Sequence, residues 1–357
     1  MVHALTIHFS QLLQEIQPPK HRRDKAVELT PKVQDYLRRH EEFDTKSPHS
    51  RQVGSYAQHL SVGDVKDVDF LIRVDVDHED DDTAREVLKA LKDALDDLPE
   101  YLGYIGDTYF DINRNRRSVH VGFEQEDFHF DVVPCVAPNG FEESIFVPDW
   151  GFKAWVPSNP LGVVQLVEDL EKDHQGKFRG LAKLLKHFRN THMIYMKPKS
   201  YWMVAMTIEA VAGGNIDTSQ PLALAFDELL HYLYDEYSPA LQRAGSVPEV
   251  PDPMLGHDVA HSWKRHDFER FMDVLKENKG RTARAVTTDN KDTAVELWQK
   301  VLGPEFPTTV DDFAKSYASA GQPGSSYARP TGLIVPAAGA SGGIAVPRTR
   351  YYGGDEG

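Results

Sequence analysis

Three aspartates are the residues of this sequence whose type and spacing are best suited to chemistry. Asp67 and Asp69 occupy alternate positions at the start of the apolar run DVDFLIRV, and Asp131 lies within a second apolar run, FHFDVV. Side chains alternate between the two faces of a strand, so Asp67 and Asp69 point the same way while Val68 faces the core. Carboxylate oxygens are the ligands that Mg²⁺ and Mn²⁺ prefer. The pattern therefore predicts a divalent-metal site at a strand edge.

Asp131 strengthens this prediction, because an acidic side chain inside an apolar strand is costly unless it is paired or bound to a cation. The alternation in FHFDVV places Phe128 and Phe130 on one face of the strand, and His129 and Asp131 on the other. If this strand neighbours the first one, the three carboxylates form a clamp for two ions about 4 Å apart. Such a clamp holds the attacking and leaving oxygens of a phosphoryl displacement.

A Gly-Ser pair, Gly54 and Ser55, precedes the first two aspartates. A glycine turn that opens a helix exposes backbone N–H groups, which bind phosphate oxygens. The pair alone carries little information, but its spacing to the aspartates points to a nucleotide. A second acidic pair, Asp75 and Asp77, lies too far along the chain to share the same ions, and we interpret it as a solvated strand exit.

The composition limits which partners and which cellular locations are expected. The formal net charge of the 357 residues is −15, which repels polyanions, so long nucleic acid is a poor partner. A triphosphate can still bind where divalent ions supply positive charge. The only cysteine, Cys135, excludes an intrachain disulfide. No apolar stretch is long enough for a membrane span, and the first residues lack a signal-peptide pattern, so we expect a cytoplasmic protein without a membrane partner.

The periodicity of the sequence changes along the chain and predicts an α/β (α+β) architecture. Residues 1 to about 45 have a helical pattern, and strand patterns with one helix follow to about residue 136, which indicates a mixed sheet. Residues from about 160 to 305 have only helical patterns. We therefore expect a catalytic lobe with N-terminal helices over 1–155, an all-helical lobe over 156–317, and a flexible tail rich in Gly, Ala, Ser and Pro over 318–357.

These motifs resemble a known family. VGSYAQHLSVGDVKDVDFLI with FHFDVVPCV resembles the signature of the DNA polymerase beta-like nucleotidyltransferases. The helical second half resembles one branch of them, the CD-NTases, which are relatives of cyclic GMP-AMP synthase and oligoadenylate synthase. The resemblance covers about residues 45 to 307. It implies two Mg²⁺ ions, with Mn²⁺ as an alternative, bound by the catalytic carboxylates Asp67, Asp69 and Asp131, and outer phosphates held by Gly54 and Ser55.

Two further segments resemble family helices that bind the nucleotide. LAKLLKHFRN resembles the helix whose lysine contacts the donor triphosphate, which implies this role for Lys186, with Lys183 as a lesser candidate. PKSYWMVAM resembles the start of the next helix, so Ser200 would contact phosphate and Tyr201 would stack on the base. The helical pattern leaves both lysines and Arg189 off the apolar stripe, and we therefore expect an exposed basic face.

The resemblance also implies a function. It indicates a Mg²⁺-dependent synthase that joins NTPs, ATP among them, into a cyclic di- or trinucleotide and releases pyrophosphate. The product would be a second messenger in bacterial anti-phage defence that acts on a separate effector. Some relatives are conjugated through their own C-terminus by a ubiquitin-conjugation-like partner, and Gly357 ends this chain after the predicted tail. A terminal glycine on a flexible tether is suited to such a reaction.

Two alternatives stay open at this point. Another polymerase beta-like enzyme, of the CCA-adding or poly(A) type, shares the metal motif, although it must grip RNA and the net charge opposes that. An inactive nucleotide-binding or antitoxin-like module is the alternative of a different class. The presence of all three carboxylates disfavours it.

Overall fold

Alternating apolar residues build a five-stranded sheet at the centre of the first half of the chain. The strands are β1 (Ser50–Val53), β2 (Asp67–Arg73), β3 (Phe110–Arg114), β4 (Val119–Phe123) and β5 (Phe128–Cys135). Their order in the sheet is β1-β2-β5-β4-β3. β2 and β5 pair in parallel and the other neighbours are antiparallel, so the sheet is mixed, as predicted.

One face of this sheet is covered by helices. Val68, Phe70 and Phe130 point into this layer and are buried, and the rings of Phe70 and Phe130 meet edge to face at 5.7 Å. The covering helices are α2 (Lys20–Arg39), α4 (Asp82–Asp96) and α5 (Leu98–Tyr101). The opposite face is polar where β2 begins, so the fold leaves one edge open for charged side chains.

Short elements link this sheet to a helical second half. A one-turn helix, α3 (Gly54–Ala57), follows β1, and a two-stranded ladder is formed by β6 (Ile145–Asp149) and β7 (Ala154–Ser158). The helices that follow are α6 (Pro160–Asp173), α7 (Phe178–His192), α8 (Ser200–Ala212), α9 (Leu222–Tyr237), α10 (Arg265–Thr287) and α11 (Lys291–Leu302), with a 3-10 turn at Ser238–Gln242.

The N-terminal helices divide between the two halves. α1 (Thr6–Glu15) places Phe9 against Trp298 and Phe306, at ring distances of 4.9 and 5.2 Å, so it belongs to the hydrophobic cluster of the helical half. α2 packs on the sheet instead. The domain boundaries themselves stay a prediction.

The computed structural model describes residues 5–63, 67–104, 110–124, 127–243, 245–310, 326–328 and 334–336. The last two segments are the strands β8 (Ser326–Ala328) and β9 (Ile334–Pro336), which pair antiparallel within the predicted tail. The rest of that tail, with Gly357, lies outside the described residues, so its flexibility stays a prediction. Among the helices in these ranges, none has the length and apolar character that crossing a membrane demands.

Candidate active site

The structure brings the three aspartates of the sequence motif together. In the parallel pair of β2 and β5, Asp69 is opposite Asp131 and Asp67 is opposite His129. Strand alternation then turns the three carboxylates to the same polar face, while Val68 between the first two is buried. Two neighbouring interior strands therefore deliver the carboxylates to the polar face of the sheet where β2 begins, a region that we call the acidic edge.

Burial and electrostatic repulsion both act on the Asp69 carboxyl. Burial, and after it the negative charges of Asp131 and Asp67, raise the pKa of Asp69 to about 7. An aspartate in water has a pKa near 4, so ionisation of this carboxyl is opposed by its surroundings. A bound cation would remove that opposition.

Two histidines that the motif did not include lie among the carboxylates. Asp67 Oδ1 accepts a hydrogen bond from His129 Nε2 at 2.6 Å, and His120 Nδ1 lies 3.7 Å from Asp131 Oδ1. Burial lowers the pKa of His129, yet the hydrogen bond and charge of Asp67, with the other two carboxylates, outweigh it and raise that pKa above its ordinary value. Alternation had placed His129 on the face of Asp131, but only the pairing of β4 with β5 brings His120 opposite Asp131.

The Gly-Ser turn lies directly against this acidic edge. Gly54 has φ of +71°, and a Cβ atom at this position would lie 2.0 Å from Asp69 Oδ2. Both the backbone angle and the space therefore require glycine. Ser55 lies in α3, with its Oγ 3.2 Å from Ser61 Oγ. The predicted phosphate turn and the carboxylates thus form one continuous site.

Asp131 is held by the hairpin between β3 and β4. Asn115 Nδ2 and Ser118 Oγ each donate a hydrogen bond to Asp131 Oδ1 at 3.3 Å. The tip of this hairpin is fastened by Asp149, whose fully buried carboxylate accepts from Arg116 Nε at 2.7 Å and Arg117 Nε at 2.8 Å. These hydrogen bonds fix the orientation of the Asp131 carboxylate.

The prediction of an exposed basic face on α7 is wrong. Lys186 is 2% exposed, and Lys183 and Arg189 are buried as well, because α7 is covered on the side that the sequence pattern left to solvent. Segment 58–61 provides part of this cover, since Leu60 O accepts a hydrogen bond from Lys186 Nζ at 2.6 Å and Gln58 O accepts one from Arg179 Nε at 3.0 Å. These cations therefore fasten the chain that follows the Gly-Ser turn.

Burial also changes the acidity of the two lysines. Desolvation, and after it the positive charges of Arg189 and Lys183, lower the pKa of Lys186 to about 7, although Asp67 and Asp69 act in the opposite direction. Desolvation and Arg179 lower the pKa of Lys183 to about 8. Lys186 is thus electrostatically coupled to the carboxylate edge.

Ser200 and Tyr201 stand at the start of α8, beside α7. Ser200 Oγ accepts a hydrogen bond from Arg189 Nη1 at 3.0 Å, and the Tyr201 hydroxyl donates one to Asp252 Oδ2 at 2.8 Å. Burial, and after it the Asp252 charge, raise the pKa of Tyr201. These hydrogen bonds join both side chains to the helical half and not to the carboxylate edge.

The donor set fits hard divalent cations. Asp67, Asp69 and Asp131 offer carboxylate oxygens on one face, and burial together with the charges of Asp131 and Asp67 raises the pKa of Asp69, which a bound cation would oppose. The geometry therefore supports a divalent-metal site at this edge of the sheet.

Comparisons with known proteins show what the chain is similar to. Residues 4–170 match the Second Messenger Oligonucleotide or Dinucleotide Synthetase domain. A cyclic AMP-AMP-AMP synthase of Acinetobacter sp. is 28% identical over 352 residues, which are 96% of this chain and 94% of the relative.

Two solved structures share the fold. The Escherichia coli MS115-1 CdnC in a HORMA complex has a TM-score of 0.62 at 17% identity, over 84% of this chain and 97% of that one. The Bradyrhizobium diazoefficiens CD-NTase CdnG in complex with GTP has a TM-score of 0.63 at 16% identity, over 85% and 97%.

A mixed sheet carrying paired carboxylates, joined to a helical second half, is the fold that this chain shares with the solved CD-NTase structures. Over nearly its whole length the chain is similar to a cyclic-oligonucleotide synthase, and it shares its fold with a solved CD-NTase.

Proposed function

We propose that the chain is a Mg²⁺-dependent synthase that joins ATP molecules into a cyclic trinucleotide and releases pyrophosphate. The observation that carries the catalytic part is the register of β2 with β5, which sets Asp69 opposite Asp131 and Asp67 beside them. The Acinetobacter cyclic AMP-AMP-AMP synthase, aligned over nearly the whole of both chains, supports ATP as substrate and three nucleotides as the ring size.

The three carboxylates have separate tasks in this proposal. A ribose hydroxyl of one nucleotide attacks the α-phosphate of the next, and pyrophosphate leaves. Two Mg²⁺ ions held by Asp67, Asp69 and Asp131 would supply charge stabilisation for the attacking and leaving oxygens. Asp131, oriented by Asn115 and Ser118, is the residue best placed to accept the proton of the hydroxyl.

The remaining predicted residues bind the donor nucleotide. Gly54 and Ser55 hold the outer phosphates through the turn at β1 and α3, and Lys186 contributes positive charge from beneath segment 58–61. Ser200 contacts phosphate, and the ring of Tyr201, anchored by Asp252, forms a platform for the base.

Product analysis tests this function. The purified protein is incubated with Mg²⁺ and the four NTPs, with and without RNA, and the products are identified by mass spectrometry. We expect a cyclic oligoadenylate from ATP alone, lost in Asp131→Asn and retained in Asp75→Asn, a control on an exposed aspartate. Extension of added RNA would instead support a CCA-adding or poly(A) enzyme. Absence of any product would support an inactive nucleotide-binding module.

The biological role follows from the product. We assign the cyclic nucleotide as a second messenger of anti-phage defence that acts on a separate effector in the cytoplasm. Reconstitution in a bacterial host tests this role, since Asp69→Asn should abolish protection from phage when the effector is present. Protection that survives loss of synthesis would overturn it.

Regulation through the C-terminus is a separate part of the proposal. A ubiquitin-conjugation-like partner would attach the chain through the carboxylate of Gly357, whose lack of a side chain favours entry into a narrow cleft. Gly357→Trp should remove conjugates in a host carrying the partner while purified synthesis is retained, and Tyr351→Trp should leave both unchanged. Conjugates that persist in Gly357→Trp would exclude the terminal glycine.

A further inference from the structure

Two histidines and one aspartate of the open sheet edge form a cluster with the composition of a transition-metal site. His120, His129 and Asp131 each offer a ligand atom, and these atoms lie within 4.8 Å of one another. The imidazole rings of the two histidines are 4.4 Å apart. Bond lengths of about 2.0 to 2.2 Å put the ligand atoms of a tetrahedral zinc site about 3.4 Å apart. The 3.7 Å between His120 Nδ1 and Asp131 Oδ1 already approaches that value.

The surroundings of the cluster make room for His120 and orient it. Gly122 lies two residues further along β4, and a Cβ there would be 3.1 Å from His120 Nε2, so a larger residue would crowd the ring. Asp111 Oδ2 lies 4.0 Å from the same Nε2 on the side away from Asp131. A carboxylate behind an imidazole is the usual second-shell partner of a metal-binding histidine.

The chemistry of these donors differs from that of the Mg²⁺ clamp. Imidazole nitrogens suit zinc and its neighbours in the first transition row, whereas Mg²⁺ is held by oxygen. Two histidines with one carboxylate, and a fourth position open to water, are a frequent zinc set. Asp131 belongs to both sets, so an ion bound to the histidines competes for a carboxylate that synthesis needs.

We propose that His120, His129 and Asp131 bind a divalent transition-metal ion of the Zn²⁺ class, and that this binding inhibits synthesis by withdrawing Asp131 from the Mg²⁺ clamp. The inhibitory half rests on the proposed function of Asp131. The binding half does not depend on it. His129 also contacts a second carboxylate of the clamp, because its Nε2 lies 2.6 Å from Asp67 Oδ1.

Binding is measured first, on full-length protein freed of metal and without nucleotide. Calorimetric titration with Zn²⁺ should give one site, and Co²⁺ in its place should give the visible absorption bands of a four- or five-coordinate ion. His120→Asn and His129→Asn should each weaken Zn²⁺ binding at least about tenfold, since even second-shell changes cost about 10- to 100-fold. His266→Asn, a control on an exposed histidine of α10, should bind as the unchanged protein does.

Inhibition is measured second, as cyclic-nucleotide synthesis at fixed Mg²⁺ with increasing Zn²⁺. The half-inhibitory Zn²⁺ concentration should rise at least about tenfold in His120→Asn and stay unchanged in His266→Asn. Lack of a Co²⁺ band, or equal Zn²⁺ affinity in His120→Asn, would overturn the site. Stimulation by Zn²⁺ would overturn the inhibitory role. The catalytic role of Asp131 is tested separately: synthesis by Asp131→Asn with Mg²⁺ would contradict that role. It would leave the metal site standing, because Co²⁺ binding to the unchanged protein is measured without synthesis.

Discussion

Two neighbouring regions of the molecule bury charged side chains but surround them with different partners. Where β2 pairs with β5, burial and the negative charges of Asp131 and Asp67 raise the pKa of Asp69 to about 7. On α7, Lys186 and Arg179 are also buried, but each donates a hydrogen bond to a backbone carbonyl of segment 58–61. The carboxylates at the acidic edge lie among like charges, whereas each of these cations has a backbone hydrogen-bond partner, although burial still lowers the pKa of Lys186 to about 7.

This difference suggests that the carboxylates of β2 and β5 bind a ligand, whereas the cations of α7 hold the neighbouring segment in place. A fold keeps unbalanced charge where a ligand will balance it, and perturbed carboxylates in an open position are accordingly candidates for function. Buried cations with backbone partners stabilise the segment they hold and add positive charge from behind. Changes at the acidic edge should therefore affect chemistry most, and changes on α7 should affect stability as well.

The largest effect is expected from Asp69→Asn. Synthesis should fall by more than about 100-fold, since outer-shell partners of a metal alone are worth about 10- to 100-fold. The free energy of unfolding of the metal-free protein should instead increase in this variant, because ionisation of a carboxyl with a raised pKa opposes folding. That penalty is absent below pH 4 and grows as the pH rises to about 7. Urea unfolding in EDTA should therefore show Asp69→Asn as the more stable protein at pH 8, by on the order of 2 kcal/mol.

The matched control for Asp69→Asn is Asp75→Asn, in which an exposed aspartate paired with Lys46 is changed. It should alter neither synthesis nor the pH dependence of stability. Near-normal turnover of Asp69→Asn would contradict the assignment of this carboxylate to the metal clamp.

Gly54→Ala should have the next largest effect. The new Cβ would overlap Asp69 Oδ2, and the residue would also be held at φ of +71°. We expect synthesis to fall more than about tenfold, in line with loss of a correctly oriented ligand. Gly63→Ala separates the two causes, because Gly63 has φ of +64° and a Cβ added there would meet no atom of the described residues within 4 Å. The control should lose about 1 to 2 kcal/mol of stability, as backbone strain predicts, and keep its activity.

Lys186→Met tests the opposite region. The variant keeps most of the side-chain volume but leaves the carbonyl of Leu60 without its hydrogen bond, which should cost about 1 to 3 kcal/mol of unfolding free energy at pH 9. The pKa of Lys186 is about 7 in the folded protein but has its ordinary value in the unfolded chain. As the pH falls towards about 7, the unfolded chain therefore binds a proton that the folded wild type does not, and the wild type becomes less stable. The difference between the two proteins should therefore shrink at pH 6. The KM for ATP should also rise, and an unchanged KM would limit Lys186 to a structural role.

Tyr201→Phe should have the smallest effect. It removes the hydrogen bond to Asp252 and should lower stability by about 1 kcal/mol. The ring is retained, so the KM for ATP should change little, whereas Tyr201→Ala should weaken nucleotide binding by about 1 to 3 kcal/mol if the base stacks there. Equal losses in both variants would assign the role of Tyr201 to its hydroxyl.

The sequence predicted the strands and the face of each aspartate because both depend on local alternation. A period of two fixes the face of Asp67, Asp69 and Asp131 once their segments are strands. The helical second half followed in the same way from apolar spacing. Alternation does not show which strands are neighbours. The metal hypothesis required β2 to lie beside β5, and only the folded structure shows that it does.

The burial of Lys186 and the reason for Gly54 were decided by tertiary structure alone. Apolar spacing reports which side of a helix avoids water, but it cannot show that segment 58–61 covers the polar side and hydrogen-bonds its cations. A Gly-Ser pair likewise does not reveal that Asp69, which pairs with Val53 across the sheet, fills the space of a Cβ at the glycine. Local patterns follow from the chain's own geometry, whereas these contacts join segments distant in sequence, so only packing determines them.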